Sequence, residues 1–153
     1  MNNPKMLVDR TALKMSRNRA IDCGGYFLHE LAISEVKDRL RDINRDFQSI
    51  AIVTGLSTSW RKAFPSATII EDNENLNLTC SKYDLIIHGM ALHWANDPVG
   101  QLIQLRLALK GDGLMIAVCL GGTTLNELRA VVSRVALKYQ TFLSFRANNQ
   151  PFK

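Results

Sequence analysis

The side chains best suited to chemistry are crowded into one stretch, Tyr83 to Asp97, YDLIIHGMALHWAND. His88 and Gly89 close an apolar run, and His93, Trp94 and Asn96 follow in a polar, aromatic loop. The run from Asp84 to Ile87 predicts a strand buried on both faces of a parallel sheet. Open α/β sheets meet ligands in the crevice beyond the carboxyl ends of their strands, so these five residues rim any site. Two more clusters stand beside strands. Val53, Thr54 and Gly55 end an earlier apolar run, where a nucleotide site would begin, and Glu71, Asp72, Asn73 and Leu76 lie in an acidic, Asn-rich stretch after another. Each has a plain reading beside the functional one: His93 and Trp94 suit residues packed at a strand end as well as substrate contacts, and Glu71 and Asp72 suit solvated loop acids.

Other chemistries find no support. No Ser-His-Asp or Cys-His set can be placed by spacing. The three histidines form neither an HxxxH nor an HExxH pattern, and Cys23, Cys80 and Cys119 are odd in number and widely separated. No metal site and no disulfide framework is expected, and the thiols are read as reduced. Cys119, near a strand end, reads as a small buried hydrophobe.

The elements that position the rim follow from periodicity and punctuation. Residues 6–20 alternate basic and apolar positions and read as a surface helix ended by Gly24-Gly25. A second helix spans Phe27 to Ile43, with Leu28, Leu31, Ala32, Val36, Leu40 and Ile43 on its apolar face. Strands are expected at Ser49 to Thr54, Ala67 to Ile70, Asp84 to Ile87 and Leu114 to Leu120, with a short helix at Ser59 to Phe64. Asp97 caps a helix that Pro98 opens; its apolar face is Val99, Leu102, Ile103 and Leu109, and it ends at Lys110-Gly111. Thr124 and Glu127 have capping-box spacing before a helix to Tyr139 that buries Leu125, Leu128, Val131, Val132 and Val135. Strands alternating with helices predict an α/β fold with a doubly wound, mainly parallel sheet, in which the strand from Asp84 lies between those from Ser49 and Leu114.

Composition sets the bounds. The chain has 153 residues, 46% hydrophobic and 22% charged, which suits one globular domain: a helical cap at 1–45, a core at 46–139 and a tail at 140–153. No run is apolar enough for a membrane span or a secretory signal, so the chain reads as cytoplasmic. The net charge of +5 permits an acidic partner, but no groove-reading motif accompanies it, and nucleic-acid binding is not expected.

ALHWANDP, LALKGDG and GGTTLNELR, in that order and with the opening MLVDRTALKMSRNRA, resemble the class I S-adenosylmethionine-dependent methyltransferases of the type 11 group, which contains the methyltransferase-fold complex I assembly factor and its bacterial relatives. More distantly the chain is similar to the biotin-pathway carrier-protein methyltransferases. The resemblance implies a Rossmann-like fold and S-adenosylmethionine as cofactor. Val53 to Gly55 would border its methionine portion, Glu71 to Leu76 its ribose and adenine, and His88-Gly89 the reacting centre; His93, Trp94 and Asn96 would face the substrate.

Three departures from that family matter. AIVTGLSTSW keeps one glycine, Gly55, of a glycine-rich loop. The 27 residues between Gly55 and Tyr83 are too few for the two strand-helix units the family places there, so one unit is expected to be absent and the fold reduced. Too little chain follows Tyr139 for the family's final strands. An apolar strand at Leu114 to Leu120 left at an edge invites a second chain, which predicts a homodimer. The alternative function implied is a non-catalytic assembly or interaction protein that keeps the scaffold and has lost the cofactor; the partner expected is a protein, as substrate in the first case or as assembly partner in the second.

Overall fold

The computed structural model describes residues 6–128 and 130–136. The chain forms two compact units, 1–119 and 120–153.

The first unit is built on a four-stranded, all-parallel sheet in the order β2-β1-β3-β4: β1 (Ile50–Thr54), β2 (Thr68–Ile70), β3 (Tyr83–Gly89) and β4 (Leu109–Val118). As expected, β3 lies between β1 and β4, with Val53 opposite His88 and Ile87 opposite Ile116. The alternation of side chains along a strand sorts the core into two layers. Ile52, Leu85 and Ile87 face one way, against Ala32, Ile33 and Val36 of α2 (Phe27–Asp42) and Trp60 of α3 (Ser57–Ala63). Ala51, Val53 and Ile86 face the other, against Leu105 and Ala108 of α4 (Pro98–Ala108). All seven residues of β3 are buried. Helices thus cover both faces, as the doubly wound reading requires.

Asp84, a carboxylate inside this apolar strand, is explained by its partners: it accepts from the backbone N–H of Ser49 at 2.9 Å and of Gln48 at 3.0 Å. It thereby pins the start of β1 to the start of β3 and satisfies two donors that burial would otherwise strand. Helix α1 (Arg10–Asp22) is capped by Asp9, whose Oδ1 accepts from Thr11 and Ala12. It stops where Gly24 takes φ +69°, a conformation cheap only for glycine.

Several expectations need correction. The buried face of α4 is Gln101, Leu105 and Ala108, while Val99 and Ile103 are exposed. The helix is turned so that the Gln101 amide meets the sheet beside Leu105 and Ala108, with Leu102 packed partly against the same core, and it ends at Ala108, with Leu109 already in β4. On α2, Leu28 and Leu31 are exposed and Ile33 takes their place in the core. Strand β4 is not covered on both faces. Leu114, Ile116 and Val118 pack partly against the α2 side, but Met115 is 37% exposed, and β4 is an edge of the sheet among the described residues. Cys119, just beyond its end, is exposed rather than buried, as are Cys23 and Cys80.

In the second unit, residues 126–128 and 130–136 are helical. The capping box does not form: Thr124 lies in a turn in which its N–H donates to the Gly121 carbonyl, and Leu125 takes φ +57° before the helix begins. Leu125, Leu128, Val131, Val132 and Val135 are exposed, not buried. The tail at 140–153 lies outside the described residues.

Candidate functional site

The carboxyl ends of β1 and β2 open into a cavity of about 450 Å³ against α1, with Gly55, Ser57, Glu71, Asp72 and Asn73 in its wall. The structure therefore brings together the strand-end glycine and the acidic stretch. Helix α1 adds an arginine to this wall. Arg17 reaches across the mouth and its guanidinium grips Asp72 in a two-pronged pair, Nη1 to Oδ1 at 2.9 Å and Nη2 to Oδ2 at 2.6 Å. The same guanidinium lies directly on Gly55, where an added Cβ would collide with its Cζ and both terminal nitrogens. Arg10 adds a bond from Nη2 to the Asp72 carbonyl at 2.6 Å and stands 3.5 Å from the carboxylate. Burial alone would push the Asp72 carboxyl up, but the hydrogen bonds and charge of Arg17, aided by Arg10, hold it below its ordinary value.

The other site residues divide between core and rim. Val53 and Leu76 are core residues on the α4 side. Thr54 is buried, and its hydroxyl accepts from the Leu56 N–H at 3.3 Å, closing the turn. Gly89 is needed for close packing, since a Cβ there would meet the Trp60 ring at 2.5 Å. His88 is fully buried at the centre of a relay. The Gln101 side chain donates from Nε2 to the Asn73 carbonyl at 3.0 Å, which turns its Oε1 toward His88 Nε2 at 2.9 Å. Oε1 can only accept, so His88 carries its proton on Nε2, and its buried Nδ1 is left with no partner among the described residues. Burial holds the His88 pKa below its usual value, against the raising effects of Gln101 and Asp72, so the ring is neutral at pH 7.

Beyond β3, the single 3-10 turn Leu92–Trp94 carries His93 and Trp94. His93 is half-buried, its pKa lowered by burial and by the positive charge of Arg17. Trp94 lines a second cavity, of about 460 Å³, with Met90, Leu13, His29 and Arg17. Asn96 acts as a latch: its Oδ1 accepts from the N–H groups of Leu7 and Val8 at 2.7 and 2.9 Å, while its Nδ2 donates to Glu74 at 2.9 Å. It straps the segment before α1 over the strand ends. Arg17 lines both cavities and is the residue they share. Arg10, Lys14 and Arg17 are spaced to share one face of α1, a signal present in the sequence as a basic stripe at helical spacing.

No family model matches the chain, and no solved structure does. Curated relatives do. The mitochondrial arginine-hydroxylase NDUFAF5 of Danio rerio is 30% identical over 118 residues, 77% of this chain and 35% of that protein. A Rickettsia prowazekii protein whose name makes it a methyltransferase is 38% identical over 79 residues, 51% of this chain and 35% of its own. The malonyl-[acyl-carrier protein] O-methyltransferase of Gallionella capsiferriformans is 29% identical over 133 residues, 82% of this chain and 45% of that enzyme. The chain thus spans less than half the length of each of these relatives.

Proposed function

We propose, proceeding from the relationship of this chain to the methyltransferase family, that it is a methyltransferase-like protein whose S-adenosylmethionine site is the cavity at the ends of β1 and β2. The observation that carries the reading is convergence: Gly55, Glu71, Asp72 and Asn73, from two strand ends, line one cavity at the place where parallel sheets meet ligands. Nothing on the rim assigns the acceptor. Methyl transfer needs no dedicated nucleophile on the protein, because positioning an acceptor against the sulfonium supplies much of the acceleration.

The residues fit the cofactor poorly in one respect. Arg17 covers Gly55 and occupies Asp72, the carboxylate best placed to receive ribose hydroxyls, and binding would have to break that pair. We therefore set the affinity poorer than about 100 μM, roughly 5.5 kcal/mol. The same pair favours a second reading, a non-catalytic assembly or interaction protein acting on a protein partner. Titration calorimetry with S-adenosylmethionine and S-adenosylhomocysteine separates the two. Weak but saturable heats with both support the first reading, and no heat up to millimolar ligand supports the second.

No described helix is long and apolar enough to cross a membrane. We propose a cytoplasmic location and a two-fold dimer through β4, an edge strand among the described residues on which Met115 is exposed.

A further inference from the structure

We propose that the cavity between α1 and the ends of β1 and β2 binds a phosphate-bearing nucleotide. This goes beyond the methyltransferase reading and does not rest on methyl transfer. Four cations line the cavity, Arg10, Lys14 and Arg17 from α1 and Arg61 from α3, against two carboxylates, Glu71 and Asp72. Arg17 and Asp72 neutralise each other in their two-pronged pair. What remains is Arg10, Lys14 and Arg61 facing Glu71, an excess of two positive charges. Their donors are not consumed. Arg10 uses Nη2 on the Asp72 carbonyl, but its Nη1 is buried with no acceptor among the described residues. The side chains of Lys14 and Arg61 form no ion pair or hydrogen bond among the described residues.

Lys14 and Arg61 are exposed on the cavity wall, and a phosphate oxygen is the acceptor that an arginine's planar fork matches best. S-Adenosylmethionine brings a sulfonium and an ammonium against one carboxylate, so it would add positive charge to a positive cavity. A nucleotide phosphate would cancel it. At about 450 Å³ the cavity is larger than phosphate alone requires and lies within the range of small-molecule sites. Ile21 and Ile69 offer apolar wall for a base, and Asn18, Ser57 and Asn73 offer polar groups for a sugar.

The test is calorimetric titration of the full chain at low salt with ADP, adenosine, pyrophosphate and S-adenosylmethionine. ADP should bind at least about tenfold more tightly than adenosine or S-adenosylmethionine, roughly 1.4 kcal/mol, and more tightly than pyrophosphate, with an affinity that falls as salt rises. Lys14→Gln and Arg61→Gln alter exposed side chains and should leave the fold intact, which circular dichroism checks; each should weaken ADP about tenfold. Arg41→Gln, on an exposed face of α2, removes the same charge elsewhere and should change ADP binding less than twofold. ADP no tighter than adenosine or S-adenosylmethionine, or equal losses in R61Q and R41Q, would overturn the proposal, and pyrophosphate as tight as ADP would overturn the assignment to a nucleotide.

Discussion

Replacing Arg17 by glutamine should cost the first unit about 3 kcal/mol at pH 7. The substitution deletes both short bonds to Asp72 and leaves a carboxylate whose side chain is only 6% exposed. Breaking a buried ion pair from one side typically costs about 3–5 kcal/mol. The low end applies because Arg10 remains 3.5 Å away and Arg17 is itself 22% exposed. For a chain of this size the loss corresponds to a fall in Tm of roughly 6–12 °C. Urea unfolding followed by tryptophan fluorescence measures it, since Trp60 is fully buried in this unit. The pH dependence gives the stronger test. In the wild type the Asp72 pKa is depressed, so its contribution is complete above the unfolded value near 3.9 and is lost as pH falls through the depressed value. In the variant burial dominates and the pKa rises, so protonation relieves the penalty on acidification. The gap between the two proteins should therefore be widest at neutral pH and narrow toward pH 4, and the double variant Arg17→Gln with Asp72→Asn should recover most of the loss. A gap below about 0.5 kcal/mol at pH 7, or one that does not narrow in acid, would refute the reasoning.

Three further outcomes are expected. His29, His88 and His93 all have pKa values lowered by burial; the unfolded chain then binds protons more readily near pH 6.5, so stability is full above that pH and declines as pH falls below it, and urea midpoints equal at pH 7.5 and 5.5 would contradict this. Gly89→Ala drives a Cβ into the Trp60 ring and should destabilise by about 1–3 kcal/mol, whereas Gly111→Ala meets open space and should stay within about 0.5 kcal/mol; similar unfolding curves for the two variants would show that the Trp60 contact is not tight. Light scattering should give a dimer at tens of micromolar, and a Met115→Lys variant should shift it toward a monomer, while a monomer of 17.2 kDa in the wild type would rule the dimer out.

Much of the scaffold was legible because its strands are nearly continuous apolar runs that only a covered parallel sheet can bury. The order of β1, β3 and β4, the Asp97 cap with Pro98, and the glycine stop after α1 all followed from local chemistry. One error fell where a polar side chain decides packing. Gln101 sits on the buried face of α4 because the His88 and Asn73 groups need its amide, and a reading by hydrophobicity put Val99 and Ile103 on that face instead, although Leu102 and Leu109 do pack in the core. Within the candidate site, Gly55 and the acids after β2 could be located from strand ends. Arg17 could not, because its partner Asp72 is 55 residues away and only the folded chain joins them.

The central claim, a weak S-adenosylmethionine site at the ends of β1 and β2, is tested most directly by titrating the cofactor into isotope-labelled protein and mapping amide shifts by NMR. The account predicts fast-exchange shifts that saturate only above about 100 μM and concentrate at Gly55, Ser57, Asp72 and Asn73. Tight, slow-exchange binding, or shifts confined to residues away from these strand ends, would contradict it.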